Sequence, residues 1–287
     1  MTEIDFTSCR RIPNRAYNGA NGKKIPVDWK GECWILKFPP SAAEKPNELS
    51  YSNSCYSEHI ASSIFGMLGI PVQETALGTF TNGKTRVVCA CRDFTSGDKT
   101  LHDFCSIKNT VLESESNGTG TELSTVLETI DLQQFVDPVE LRRFFWDMFV
   151  ADAFLGNFDR HNGNWGFLSD RATGRAEIAP VFDCGSCLLP QADERIMRMV
   201  LSDRAELEAR IYTFPASMLK VHGEKINYSR FISSPPPDLR DALARIVPRI
   251  DLERINAFIG EVPYLTDLQR EFYRTYLAAR RDLIFHF

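Results

Sequence analysis

The segment Asn157-Phe158-Asp159-Arg160-His161-Asn162-Gly163-Asn164 is followed, nineteen residues on, by Asp183 in Val181-Phe182-Asp183-Cys184-Gly185. A hydroxyl that attacks a terminal phosphate needs a carboxylate beside it, and a magnesium ion on the phosphates needs hard oxygen ligands. Asp159 suits the first task, and Asn164 and Asp183 suit the second. With 19 Asp and 13 Asn in 287 residues, a bare Asp-x4-Asn is expected about once by chance. Requiring Arg and then His after the Asp, from 23 Arg and 5 His, lowers the expectation to about one in a thousand. Phosphoryl-transfer sites can place an Asp and an Asn on one loop with four residues between them and supply the second metal ligand from an Asp-Phe-Gly turn. Here that turn is Asp183-Cys184-Gly185.

Working outward, Asp137, Pro138 and Glu140 stand at the N-cap, N1 and N3 positions before the run 141–155, and Gly156 closes that helix just before the Asp159 loop. The pattern predicts a rigid helix that delivers the loop. Further helices are predicted at 193–211, at 238–247 (ended by Pro248) and at 252–259. A last helix opens on the capping box Thr266-Asp267-Leu268-Gln269 and carries the stripe Leu268, Phe272, Tyr276, Ala279 and Leu283, read as core. The polar stretch 106–125 reads as a mobile loop.

Before Phe94 the character is different. Cys33-Trp34-Ile35-Leu36-Lys37-Phe38 and Thr85-Arg86-Val87-Val88-Cys89-Ala90-Cys91 read as strands. One helix lies between them at 55–68, with Gly69 as its stop and Pro71 beyond. The expected fold is α+β with two lobes: residues 1–94 form a small β-rich lobe with one main helix, and residues 95–287 form a larger, mostly helical one.

Tyr17-Asn18-Gly19-Ala20-Asn21-Gly22-Lys23-Lys24 precedes the first of those strands, and its glycines would let backbone approach phosphate oxygens; a hairpin turn uses the same residues. Lys37 sits in an apolar strand, where burying an ammonium is costly unless an anion meets it. Either it lies at an exposed edge, or it neutralises phosphate charge while a helix carboxylate holds it. Glu58 is placed for that role and equally for a first-turn position favoured by the helix dipole.

A chain of 287 residues, 43% hydrophobic and 25% charged, is ordinary globular composition. A net charge of −5 gives no basic field for nucleic acid, and Arg10-Arg11, Arg142-Arg143 and Arg280-Arg281 read as solvated faces. There is no apolar run long enough to span a membrane and no signal-peptide pattern, so a cytoplasmic location is expected. The eight cysteines read as reduced thiols; Cys184 and Cys187 lack the second ligand pair that a structural zinc would want.

Ile35-Leu36-Lys37-Phe38-Pro39, Ser57-Glu58-His59-Ile60-Ala61, Leu68-Gly69-Ile70-Pro71 and above all the Asp159-Arg160-His161-x-x-Asn164 loop resemble the HipA-like serine/threonine kinases of bacteria, including the short CtkA-like members. The likeness runs over about residues 17–190. It implies ATP and Mg2+ as cofactors, Asp159 as catalytic base, Asn164 and Asp183 as metal ligands, and Lys37, held by Glu58, on the nucleotide phosphates. It also implies that Gly19, Ala20, Asn21, Gly22 and Lys23 cover the phosphates, that Cys91, Arg92, Asp93 and Phe94 form a hinge offering backbone groups to adenine, and that His161 lines the nucleotide site or steadies the loop. A protein substrate follows, a translation component or a host protein, with autophosphorylation.

The resemblance also implies toxin–antitoxin relatives, and so an antitoxin or a partner that supplies the amino-terminal subdomain of longer members. The CtkA-like members leave secretion without a signal peptide open. The residues 17–25 contain no Ser or Thr, so self-inactivation at a loop serine, known in toxin members, is not expected. Two other readings share the motif. One is a lipid or small-molecule kinase, which can use the same Asp-Arg-His-x-x-Asn loop. The other is a catalytically inactive nucleotide-binding interaction module, which would have no chemical demand for a base and two metal ligands.

Overall fold

Period-two alternation around Trp34 and Val88 builds one antiparallel sheet. The computed structural model describes residues 3–13, 24–39, 51–95, 97–112 and 117–285. The glycine-rich segment Gly19–Lys23 lies outside the described residues. Strands β1 (Arg10–Arg11), β2 (Lys24–Trp29), β3 (Glu32–Lys37), β4 (Thr75–Asn82) and β5 (Lys84–Arg92) lie side by side in the order β1-β2-β3-β5-β4. Lys30 and Gly31, with φ of 56° and 80°, turn β2 into β3 in the left-handed geometry that a two-residue hairpin requires. One face of the sheet buries Val27, Trp34, Leu36, Val88 and Ala90 around Phe6. Lys37, Cys89 and Cys91 alternate to the other face, which packs on helix α1 (Ser54–Met67). That alternation is why a lysine in an apolar strand points toward a helix carboxylate.

Helix α1 stops where expected. Gly69 takes φ +75°, and the N–H groups of Gly69 and Ile70 close back on Gly66 and Phe65, so the last turn is satisfied by a left-handed cap.

The second lobe is built on helices α2 (Phe104–Leu112), α3 (Leu123–Leu132), α4 (Pro138–Leu155), α5 (Glu194–Ser202), α6 (Arg204–Tyr212), α7 (Tyr228–Ile232), α8 (Pro237–Ile246), α9 (Leu252–Glu261) and α10 (Asp267–Ile284). Helix α4 is the axis, packed between α3, α8 and α10. Asp137 accepts the Val139 N–H at 2.8 Å at its start. At its end Gly156 turns at φ +66°, where an added Cβ would lie 2.4 Å from the Tyr276 hydroxyl. Buried Arg280 of α10 donates to the Ala153 and Phe154 carbonyls, capping the helix just before the Asp159 loop. The capping box of Thr266 and Gln269 opens α10 as expected.

The two-lobed α+β fold expected from sequence is present, with local differences. The single helix predicted over 193–211 is two, because Asp203 is extended (ψ 114°) and its carboxylate caps the second by accepting the Ala205 N–H. The predicted loop at 106–125 is helical at both ends: α2 runs to Leu112, burying Phe104, Ile107 and Lys108, the last against the Gly120 carbonyl, and α3 begins at Leu123. The second lobe also contains an antiparallel sheet of β6 (Lys99–Asp103), β7 (Gly166–Asp170) and β8 (Ala176–Ile178), and a hairpin of β9 (Lys220–Val221) and β10 (Glu224–Lys225). Among the described residues no helix is long and apolar enough to cross a membrane.

His59 on α1 is buried, with Nδ1 3.0 Å from the Thr75 hydroxyl and its ring 5.8 Å from that of Phe258. Burial pushes its imidazole down from 6.5 to about 4. The unfolded chain therefore takes up a proton that the folded one refuses. Stability is full above pH 6.5 and falls as pH drops toward 4, by about 3 kcal/mol in total from this group. In urea titrations across this window, His59→Gln is expected to lose stability less steeply than the wild type; identical acid slopes would contradict the assignment.

Candidate active site

The catalytic loop is assembled by short bonds that begin at the end of α4. Asn157 donates its side-chain amide to Asp152 at 2.7 Å and accepts the Asp159 N–H at 3.0 Å, while the Tyr228 hydroxyl donates to the Asn157 carbonyl at 2.6 Å. The Asp159 carbonyl then accepts two donors at 2.9 Å, the His161 N–H and the Asn164 side-chain amide. His161 Nδ1 accepts the Gly163 N–H at 3.0 Å, so the imidazole is part of the loop's own structure. Asn162 donates to the Gly118 and Gly120 carbonyls at 2.7 and 2.9 Å and ties the loop to the segment before α3.

Arg160 faces inward and joins this loop to the Asp183 turn. Its guanidinium meets both carboxylate oxygens of Asp152, at 3.0 and 3.2 Å, and donates from one Nη to the carbonyls of Asn164 and Phe182. Asp152 and Arg160 are both buried. The planar fork of arginine suits this set, since one rigid group fixes the backbone beside both expected metal ligands.

Lys37 reaches across the cleft between the lobes. Its Nζ lies 3.0 Å from Glu58 Oε2 and 3.0 Å from Asp183 Oδ1. The other oxygen of buried Glu58 accepts the Cys184 N–H at 3.2 Å, so one carboxylate holds both the lysine and the turn that follows Asp183. Burial by itself would lower the ammonium's pKa, but the Asp183 and Glu58 carboxylates outweigh it and hold it well above the usual lysine range. Lys37 in turn holds the Asp183 carboxyl down at about 2. Burial pushes the Asp159 carboxyl above the ordinary aspartate value.

Lys37, Glu58, Asp159 and Asp183 line one cleft together with Cys55 and Ser186. Asp183 adopts φ +57°, and its side chain keeps 41% of its surface open. With Oδ1 on Lys37, its second oxygen is the one offered to a cation. The Asn164 amide nitrogen is committed to the Asp159 carbonyl, which leaves its oxygen as ligand. Both are hard donors of the kind magnesium takes, so the residues fit the ion.

In the expected hinge, Cys91 is a buried strand residue. The Arg92 N–H donates to the Glu74 carbonyl, the Arg92 carbonyl accepts from Gln73, and the Asp93 N–H donates to the Cys33 carbonyl. The Phe94 ring lies 5.7 Å from that of Phe182, the residue before Asp183. Cys184 and Cys187 are buried free thiols.

Sequence reasoning missed Asp152, Asn157 and Tyr228 as supports, and the solvated face expected at Arg280 is corrected: its side chain is buried on the carbonyls that end α4. One signal was available for Asp152: it is an ionisable residue inside the apolar run Phe149-Val150-Ala151-Asp152-Ala153-Phe154, a place that calls for a buried partner.

Known proteins resemble this chain in sequence and fold. Residues 16–250 match the HipA-like C-terminal domain. The chain is 48% identical over 286 residues to the serine/threonine-protein kinase CtkA of Helicobacter pylori, a match covering 99% of this chain and 87% of that protein. The crystal structure of a Helicobacter pylori proinflammatory kinase CtkA superposes with a TM-score of 0.93 at 48% identity, over 99% of this chain and 95% of that one. A chain from the complex of the Shewanella oneidensis toxin–antitoxin system HipA, HipB and its operator DNA shares the fold, with a TM-score of 0.56 at 16% identity over 98% of this chain and 73% of that one.

Proposed function

We propose that this chain, which belongs to the HipA-like C-terminal domain family, is a serine/threonine-protein kinase that transfers the γ-phosphoryl group of ATP to a protein hydroxyl, its own serines and threonines included. The observation that carries this reading is the Lys37 ammonium clamped at 3.0 Å by both Glu58 and Asp183 in the cleft that Asp159 lines. A dead nucleotide-binding module could use that lysine too, but it would have no chemical demand for a base, and Asp159 lines the same cleft as Lys37 and Asp183.

On this reading residues 1–94 hold the nucleotide and residues 95–287 supply the loop and the acceptor's seat. Lys37 meets the α- and β-phosphates, Glu58 fixes its direction, and Gly19–Lys23 cover the phosphates. Magnesium held by Asn164 and Asp183 would offset charge on the phosphate oxygens. Asp159 accepts a hydrogen bond from the acceptor hydroxyl, orients it in line with the phosphorus and takes its proton as the new bond forms. The hinge expected to offer backbone groups to adenine has the Arg92 N–H and carbonyl and the Asp93 N–H already engaged within the fold, so adenine is expected to pack against side chains such as Phe94 instead.

The test is transfer from γ-labelled ATP to the chain and to an added unfolded protein. Label is expected on Ser and Thr, lost with EDTA and restored by excess magnesium. Label appearing only as free phosphate or on a small-molecule acceptor would contradict a protein kinase.

A further inference from the structure

A row of aromatic side chains beside Asp159 has no part in the chemistry above. Phe158 directly precedes Asp159, and its ring centroid lies 5.3 Å from that of Phe214 and 6.2 Å from that of Tyr51. Tyr51 lines the same cleft as Asp159 and Asp183. At the outer end Phe214 exposes 37% of its surface, and Tyr212, two residues before it, exposes 39%. Large exposed rings grouped at one place mark a binding surface more often than chance exposure.

The outer ring is held in place by the fold. The Phe214 N–H donates to the Ala209 carbonyl at 3.2 Å, Asn227 donates to the Tyr212 carbonyl at 2.5 Å, and Ser217 donates its N–H to Ile226 at 2.9 Å. Tyr228, just beyond, is hydrogen-bonded to Asn157 of the catalytic loop. The segment bearing Phe214 is thereby tied to the loop bearing Asp159.

We propose that Tyr51, Phe158 and Phe214 form a subsite for a large apolar side chain that flanks the acceptor serine or threonine of a polypeptide substrate. The proposal rests on the protein-kinase reading and adds a sequence preference to it. In an extended peptide whose hydroxyl sits at Asp159, the residues one and two places away lie about 3.3 to 7 Å along the chain. Tyr51 lines the cleft that Asp159 lines, and Phe158 is the neighbour of Asp159 in the chain, so an occupant of this ledge lies beside the acceptor.

Serine peptides carrying Phe, Leu, Ala, Glu or Lys at each flanking position would be assayed with the wild type, Phe214→Ala, Phe214→Leu and Val139→Ala. Val139 is an exposed apolar residue at the opposite end of α4 and serves as the control. One flanking position is expected to favour Phe or Leu over Ala by about tenfold or more in kcat/KM. Phe214→Ala should erase that preference, chiefly through KM, while Phe214→Leu keeps part of it and Val139→Ala keeps all of it. Equal rates whatever the flank, an unchanged preference in Phe214→Ala, or transfer to whole proteins but to no peptide would each overturn the subsite while leaving the kinase intact. Transfer to no peptide, no protein and not to the chain itself would overturn both.

Discussion

Asp159→Asn is expected to lower phosphoryl transfer by about a hundredfold or more while ATP binding stays close to that of the wild type. The substitution is nearly isosteric, and the bonds that shape the loop do not use the carboxylate. The Asp159 N–H goes to Asn157, and its carbonyl accepts from His161 and Asn164; all three bonds use backbone groups of residue 159 and survive the change. What is lost is the acceptor of the hydroxyl proton. Lys37, Glu58 and Asp183 form a separate set of contacts and should still hold the nucleotide. Transient kinetics of the variant, with ATP affinity measured by titration, separate the two effects. Turnover near that of the wild type would remove Asp159 from the position of base.

Arg160→Met should cost about 3 to 5 kcal/mol of folding stability, the range seen when one member of a buried ion pair is removed. The remaining Asp152 would be a buried carboxylate met by the Asn157 side-chain amide, and the Asn164 and Phe182 carbonyls would each lose a donor. Because those carbonyls flank the two expected metal ligands, any folded variant should also need more magnesium for activity. Pairing the change with Asp152→Leu should recover part of the loss, since the unpaired charge is then gone. Urea denaturation of the four proteins in the cycle measures this directly. A loss below about 1 kcal/mol in the single variant would mean that the pair is no more than an exposed ion pair in strength.

What the sequence made legible was local. Asp137, Pro138 and Gly156 bracket α4 because caps are written in neighbouring residues, and Thr266 with Gln269 opens α10 for the same reason. The break at Asp203 escaped because the apolar period of Met197, Val200, Leu207 and Ile211 continues across it, and period alone does not register one extended residue. The helix α2 escaped because its stability comes from burying Phe104, Ile107 and the Lys108 stem, contacts that a polar local composition does not advertise.

The site divides in the same way. Asp159, Asn164 and Asp183 could be picked out as candidates because phosphoryl transfer favours those residue types at that spacing, whereas the roles of Lys37 and Glu58 rested on the family resemblance. The second hold on Lys37, from Asp183, was not readable, nor was Glu58's bond to Cys184, because these join residues 146 and 126 positions apart. Asp152 is the intermediate case: its partner Arg160 is eight residues away, yet the pair gains meaning only once burial is known.

The most direct measurement is intact-mass spectrometry of the chain and an unfolded protein acceptor, before and after Mg-ATP, for the wild type and Asp159→Asn, with the modified residues mapped. The predicted result is phosphate on serine or threonine in the wild-type reaction and none with the variant. Phosphate absent from both reactions while ATP is bound tightly, or present equally in both, would contradict the account.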